Sequence, residues 1–227
     1  HGLHGPDRVL PDLPAIRRAH LQGPDQGTSG LKKFRGIFLK NDAEIALMRE
    51  ANRIVARILD TMGAEVRPGT PTRRFEEIAQ DMCRKYGVRP AFQGYNGFPY
   101  ALCCSVNEQV VHGFPSERIL GEGDIVSFDM GVVFDGFYGD SARTYPVGRV
   151  SDEAVRLLDV TRESLMQGIA QARPGNSLYD VSRAVQEYVR RRASRWCGGS
   201  WGTASAGGCT RSRRCPTSCP RGRRPCR

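Results

Sequence analysis

The sequence predicts an α/β fold made of two related halves, and three observations carry that expectation. A helix, an Arg-Pro-Gly turn and a second helix follow one another twice, with RPGT at 67–70 and RPGN at 173–176. Between the two copies, Asp135-Gly136 is flanked by alternating apolar residues, the strongest short signal for a two-residue β-hairpin turn. The 227 residues suffice for one good-sized core, or for two half-domains sharing a sheet. Arg-Pro-Gly is common punctuation, so the repeat is suggestive only in company with the strands it brackets.

Taken in order, the first 35 residues are rich in Pro, Gly and His and lack the apolar stretch of a signal peptide. Residues 1–37 therefore read as a flexible N-terminal extension. Asn41-Asp42-Ala43-Glu44 resembles a capping box. It opens a helix with Ile45, Met48, Ile54, Val55, Ile58, Leu59 and Met62 on one stripe, ended by Gly63 and the first Arg-Pro-Gly. A second helix starts near Thr72, with Phe75, Ile78, Ala79 and Met82 towards the core. A Gly, Pro and aromatic loop (92–99), a strand over 101–106 and the hairpin follow. Ser151-Asp152-Glu153 opens a third helix that Arg173-Pro174-Gly175 closes, and Ser177 opens a fourth with Val181, Ala184, Val185, Tyr188 and Val189 at helical spacing. No apolar run approaches ~18 residues, so no membrane partner is expected and the chain reads as soluble and cytoplasmic.

A net charge of +10 would ordinarily prompt a search for nucleic acid. Residues 190–227, however, hold 11 Arg and no Asp, Glu or Lys, which leaves the first 189 residues at about −1. Five of the eight cysteines and both tryptophans also lie in that tail. The expected domains are thus the extension 1–37, a globular part 38–189, and an aberrant Arg- and Cys-rich tail 190–227, expected to be disordered.

Chemistry concentrates at His112 in NEQVVHGFP and at Asp129 and Asp140 on either side of the turn. If Phe134 pairs with Phe137, Gly131 pairs with Asp140, and Asp129 lies two residues along on the same face. The two carboxylates are then diagonal neighbours, roughly 7–8 Å apart at the backbone, a separation suited to converging on one or two hard cations. A solvated hairpin whose polar face happens to carry acids would look the same; the preceding His112 favours the site.

On three stretches, GYNGFPYALCCSVNEQVVHGFP, GEGDIVSFDMGVVFDGFYGDSARTYPVG and the RPG-punctuated helix pair, residues 38–189 resemble type I methionine aminopeptidases. The N-E-x-V-x-H-G-x-P string followed by two Asp eleven apart separates this subfamily from prolidase-like relatives. The resemblance implies a pita-bread (creatinase/aminopeptidase-like) α/β fold, two-lobed and pseudo-symmetric, here with the second lobe incomplete. It implies removal of the N-terminal methionine from nascent polypeptides, which are its expected partners, with the ribosome as a place where they meet, by a monomer. It further implies two divalent metal ions (Co, Mn, Fe or Zn), with Asp129 a bidentate ligand of one and Asp140 bridging both. His112 would contact the scissile carbonyl and the tetrahedral intermediate. Phe92, Tyr95, Phe98 and Cys103 would line the methionine pocket, where rings and sulfur suit a polarizable thioether.

The family draws its other ligands from the second half, a His in a GHGIG segment and two Glu beyond it. This chain has four histidines (His1, His4, His20, His112) and no acidic residue after Glu187. Its codons hold a clue. Read one base earlier, Trp196-Cys197 gives Val and Trp201-Gly202 gives Gly without ambiguity, since Trp has the single codon TGG. Every position from Ala193 to Ser218 then permits FSVVRGFVGHGIGRGMHEEPQVPNF, which contains the missing GHGIG histidine and a MHE histidine. A one-nucleotide shift near Arg190–Arg192 accounts for this. As written, the chain is expected to be inactive for want of the second-lobe ligands.

Two other readings stay open. One is a non-catalytic pita-bread homologue. The other is a nucleic-acid- or ribosome-binding protein with an Arg-rich arm; no CxxC pair or zinc-site spacing supports it, so nucleic acid is not the expected partner.

Overall fold

Helix α1 (Asp42–Ala64) begins where the sequence places it. The Asn41 side chain accepts the Glu44 N–H at 2.9 Å while the Glu44 carboxylate accepts the Asn41 N–H at 2.8 Å, a reciprocal capping box. In the computed structural model, which describes residues 33–34 and 37–192, the core-facing stripe starts later than its pattern implies. Ala51, Ile54, Val55, Ile58, Leu59 and Met62 are at most 2% exposed, whereas Ile45 is 41% exposed and Met48 only half-buried. The strand Phe137–Pro146 comes against the helix at Ala51, and Ile45 lies more than a turn before that contact.

After the turn at Gly69, α2 (Arg73–Tyr86) buries Phe75, Ile78, Ala79 and Cys83. Met82, expected inside, is partly buried and packs at the core's edge, and Cys83 takes the inner position. Gly87, left-handed at φ +64°, ends the helix.

Strand β3 (Arg89–Pro90), β4 (Leu102–Val106), β5 (Ile125–Phe134) and β6 (Phe137–Pro146) form one antiparallel sheet. β5 is its spine. β6 pairs with its whole length on one edge; β4 and then β3 share the other. Phe128, Met130 and Val132 of β5 point to one face and are fully buried among the stripes of α1 and α2. The rings of Phe75 and Phe128 meet at 4.4 Å. β6 is tied to the end of α1 by the Tyr145 hydroxyl, which donates to the Leu59 carbonyl at 2.6 Å, and by the Arg143–Asp60 ion pair. A side chain at Gly63 would strike the Tyr145 ring and displace it. The opposite face of the sheet carries the candidate site.

Ser151 caps α3 (Asp152–Gln171), and Asp180 accepts from the Ser177 N–H and hydroxyl at the start of α4 (Leu178–Arg192). The two helices pack chiefly on each other. A separate unit, residues 1–40, contributes a two-stranded ribbon of β1 (Lys33–Phe34) and β2 (Ile37–Phe38). The expectations for residues 1–32 and for the tail beyond Arg192 lie outside the described residues. Among the described residues no helix is long and apolar enough to cross a membrane.

Candidate active site

The hairpin places the two aspartates. Asp135 (φ +47°) and Gly136 (φ +83°) both lie in the left-handed region, the geometry of a two-residue turn whose twist matches its strands. The register is the one the turn predicts: Phe134 pairs with Phe137, Gly131 with Asp140, and Asp129 with Ala142. Asp129 and Asp140 therefore project together from the face opposite the core. Their carboxyls lie close enough for one to hydrogen-bond the other. Burial, reinforced by the negative charge of Asp140, pushes the Asp129 carboxyl up to about 6, with His112 pulling the other way. Burial raises Asp140 as well, against the hydrogen bond from Asp129. Among the described residues no Lys or Arg forms an ion pair with either carboxylate. Two acids pressed together without a cation are a pair of hard oxygen donors suited to one.

His112 arrives on a loop stitched to the sheet. Gln109 Oε1 accepts the Val106 N–H at 2.8 Å; the Asn107 amide accepts from Ile125 and donates to Asp124. Val111 is left-handed (φ +42°), an uncommon state for a β-branched residue, and closes a tight turn in which the His112 N–H donates to the Val110 carbonyl at 2.6 Å. The chain then returns along β4: the Gly113 N–H donates to Ser105 Oγ, and its carbonyl accepts the Cys104 N–H at 2.9 Å. A Cβ on Gly113 would lie 2.3 Å from the Cys104 oxygen. His112 itself is exposed and near enough to Asp129 for their charges to interact.

Cys103 sits opposite Asp129 across the sheet, 5% exposed. Burial and then the charges of Asp129 and Asp140 push its thiol up to about 12, so it stays protonated. The Phe92 ring lies over Gly131, where a Cβ would be 2.8 Å from the ring carbon. Phe98 belongs to an aromatic cluster, edge-on to Phe114 at 5.4 Å and to Tyr100 at 6.2 Å. Tyr95 is 71% exposed and forms none of the ring pairs found among the described residues. Thus Asp129, Asp140, Cys103 and Phe92 share one sheet face and His112 reaches Asp129, while Phe98 stands in its own cluster.

Some positioning residues escape a reading of the sequence. Asn107, Gln109 and Gly113 are spelled out in the motif but have their roles only in the loop's hydrogen bonds. Asn52, a poor helix former in the middle of α1, accepts the Asp140 N–H at 3.3 Å; that misfit is the signal that could have found it. No three His, Cys, Asp or Glu side chains among the described residues gather to hold a metal. The donors fit a divalent cation in kind, therefore, but make up part of a site.

The metallopeptidase family M24 model matches residues 46–210. The chain is similar to methionine aminopeptidase of Clostridium acetobutylicum, 46% identical over 154 residues, covering 67% of this chain and 62% of that protein. It resembles methionine aminopeptidase 1 of Bacillus subtilis to the same degree, 46% over 153 residues with 67% and 62% covered. The crystal structure of methionine aminopeptidase from Rickettsia prowazekii superposes with a TM-score of 0.66 at 35% identity, over 67% of this chain and 62% of that one. Prolidase from Pyrococcus furiosus shares the fold alone, with a TM-score of 0.61 at 19% identity over 68% and 44%. The chain spans about 62% of the length of the methionine aminopeptidases it matches.

Proposed function

Since the chain belongs to metallopeptidase family M24, we propose that it carries the first lobe of a methionine aminopeptidase, with half of the site that removes the N-terminal methionine from nascent polypeptides. Its fold is the pita-bread architecture of that family, with the second lobe incomplete. Family membership implies a divalent metal. The observation that best supports the site is the Asp129–Asp140 pair, two carboxyls projecting from one sheet face, each raised by burial, with no Lys or Arg ion-paired to either among the described residues.

In this reading Asp129 and Asp140 hold two divalent ions, of the Co, Mn, Fe or Zn type. Such ions supply Lewis acidity and lower the pKa of the hydrolytic water. The protein's own residues do the rest. His112 donates a hydrogen bond where oxyanion charge develops on the scissile carbonyl. The neutral Cys103 thiol and the Phe92, Tyr95 and Phe98 rings receive the methionine side chain. A free α-amino group would serve as a further ligand of a metal held there, which restricts cleavage to the chain terminus. We assign the work to a monomer in the cytoplasm, acting at or near the ribosome.

The 227 residues supply two carboxylates and His112 to a site that needs more ligands, so this chain should bind metal weakly and release no methionine. Isothermal titration with Mn²⁺ should detect weak binding that Asp129→Asn and Asp140→Asn each abolish. Incubation with Met-Ala-Ser should yield no free methionine. Binding untouched by both substitutions would overturn the metal assignment; robust methionine release would overturn the half-site.

A further inference from the structure

The aromatic loop between β3 and β4 closes on itself. The Gly94 N–H donates to the Phe98 carbonyl at 2.7 Å, and the Tyr95 N–H donates to the Phe92 carbonyl at 3.0 Å. The Phe98 N–H returns to the Tyr95 carbonyl at 2.9 Å. A loop closed in this way keeps its own shape, so where its rings stand is set by its ties to the rest of the chain. One tie is to the sheet, where the Ala91 N–H donates to the Gly131 carbonyl at 2.9 Å, beneath the Phe92 ring.

Further ties come from α2. Glu76 and Gln80 are four residues apart and share one side of the helix. Both oxygens of the half-buried Glu76 carboxylate accept the N–H of the fully buried Ala101, at 3.0 Å each. An ionised acceptor makes that hold stronger than a neutral one. Glu76 Oε1 also accepts Gln80 Nε2 at 2.9 Å, which fixes the Gln80 amide. Gln80 Nε2 in turn donates to Gln93 Oε1 at 3.1 Å, and Gln93 Nε2 reaches across the loop to the Pro99 carbonyl at 3.4 Å. The relay therefore grips the loop at both ends, beside Phe92 through Gln93 and beside Phe98 through Pro99 and Ala101.

We propose that Gln80, oriented by Glu76, is a positioning residue for the methionine pocket: through Gln93 it sets where the Phe92 and Phe98 rings stand, and with that which N-terminal side chain fits between them. The inference rests on the reading of those rings as the methionine pocket. A slot held at one width favours a slender, unbranched thioether, whereas walls free to move apart admit a bulkier side chain.

The test uses the full 227-residue chain without metal, with L-methioninamide and L-phenylalaninamide as probes and their affinities read by ligand-detected NMR. The parent should favour L-methioninamide. Gln80→Ala should cut that preference by about threefold or more, the worth of one hydrogen bond, while the thermal midpoint stays within about 2 °C of the parent. Gln93→Ala should act alike, and the double variant should lose little more than either, because both remove the same bond. Asp81→Ala, at the exposed neighbour paired with Arg84, should keep the parent's preference. Glu76→Ala would leave the buried Ala101 N–H without an acceptor, so Gln80→Ala is the decisive variant. A preference unchanged in Gln80→Ala overturns the inference and leaves the pocket reading standing. So does equal weakening of both probes with a lowered midpoint, the mark of a structural role only. A parent that binds both probes alike, or neither, overturns the pocket reading and the inference with it.

Discussion

Asn52 Oδ1, midway along α1, accepts the backbone N–H of Asp140 at 3.3 Å, while its Nδ2 donates to the Met48 carbonyl at 2.8 Å. A helix that is otherwise part of the core thereby fixes one carboxylate of the site on the other side of β6. Gly139 permits the approach, since any side chain there would run into the backbone of Ala51.

Asn52→Ala separates position from stability. Ala is the better helix former by up to ~0.7 kcal/mol, which offsets the loss of the long bond to Asp140, while the solvent-exposed bond to the Met48 carbonyl is replaced by water. The thermal midpoint should stay within about 2 °C of the parent. Mn²⁺ affinity should nevertheless fall several-fold by titration calorimetry, because Asp140 loses its anchor. An unchanged affinity would remove Asn52 from the site.

Protonation of the carboxylate pair gives a pH signature. Asp129 titrates at about 6 in the folded chain, above the ~3.9 of an unperturbed aspartate, so the fold favours its protonated form. That contribution is fully present below about pH 4 and is lost as pH rises through about 6. Asp129→Asn, which mimics the protonated acid, should therefore match the parent at pH 4 and exceed its stability at pH 7.5, by about 1–2 kcal/mol on this partly solvated face. Denaturation midpoints of both proteins across pH 4–7.5, without metal, check this; a difference independent of pH would contradict it.

Gly113→Ala should be disproportionately harmful. Its Cβ would meet the Cys104 carbonyl at 2.3 Å, backbone against backbone, with no flexible side chain to yield. A loss of about 2–3 kcal/mol is expected, together with displacement of the His112 ring signals in NMR spectra. Gly121→Ala is the control: its nearest neighbour is 3.7 Å away, and its effect should stay within about 0.5 kcal/mol.

The frame shift is decided on nucleic acid. Resequencing across codons 185–195 should show the frame running on into FSVVRGFVGHGIG, and the protein made from that frame should bind Mn²⁺ more tightly and release methionine from Met-Ala-Ser. An error-free read that encodes Arg190-Arg191-Arg192 with no family-like overlapping frame would refute it.

What the sequence made legible was mostly local. Asp135-Gly136 set the hairpin and its register, and with them the shared face of Asp129 and Asp140, because turn type and the two-residue period leave no freedom. Asn41 and Glu44 marked the start of α1 for the same kind of reason. Tertiary placement was not legible. Ile45 has the right period for the core yet lies before the point where the sheet reaches the helix. β3 contains Pro90, which argues against a strand until its edge position on β5 is seen. The left-handed Val111 and the Asn107 and Gln109 stitches depend on β4 and Asp124 being in place, and residue types alone carry none of that.

The buried cluster that holds the sheet to α1 and α2 runs from Ala51 to Val147 and takes nothing from α3 or α4. Chains leave the ribosome from the N-terminus, at about 5–20 residues per second, and compact units form as they emerge. The first half can thus close during synthesis, with Asp129 and Asp140 already side by side before translation reaches the codons near Arg190. An error in that later stretch would spare the earlier half, leaving a folded remnant in place of an unfolded chain.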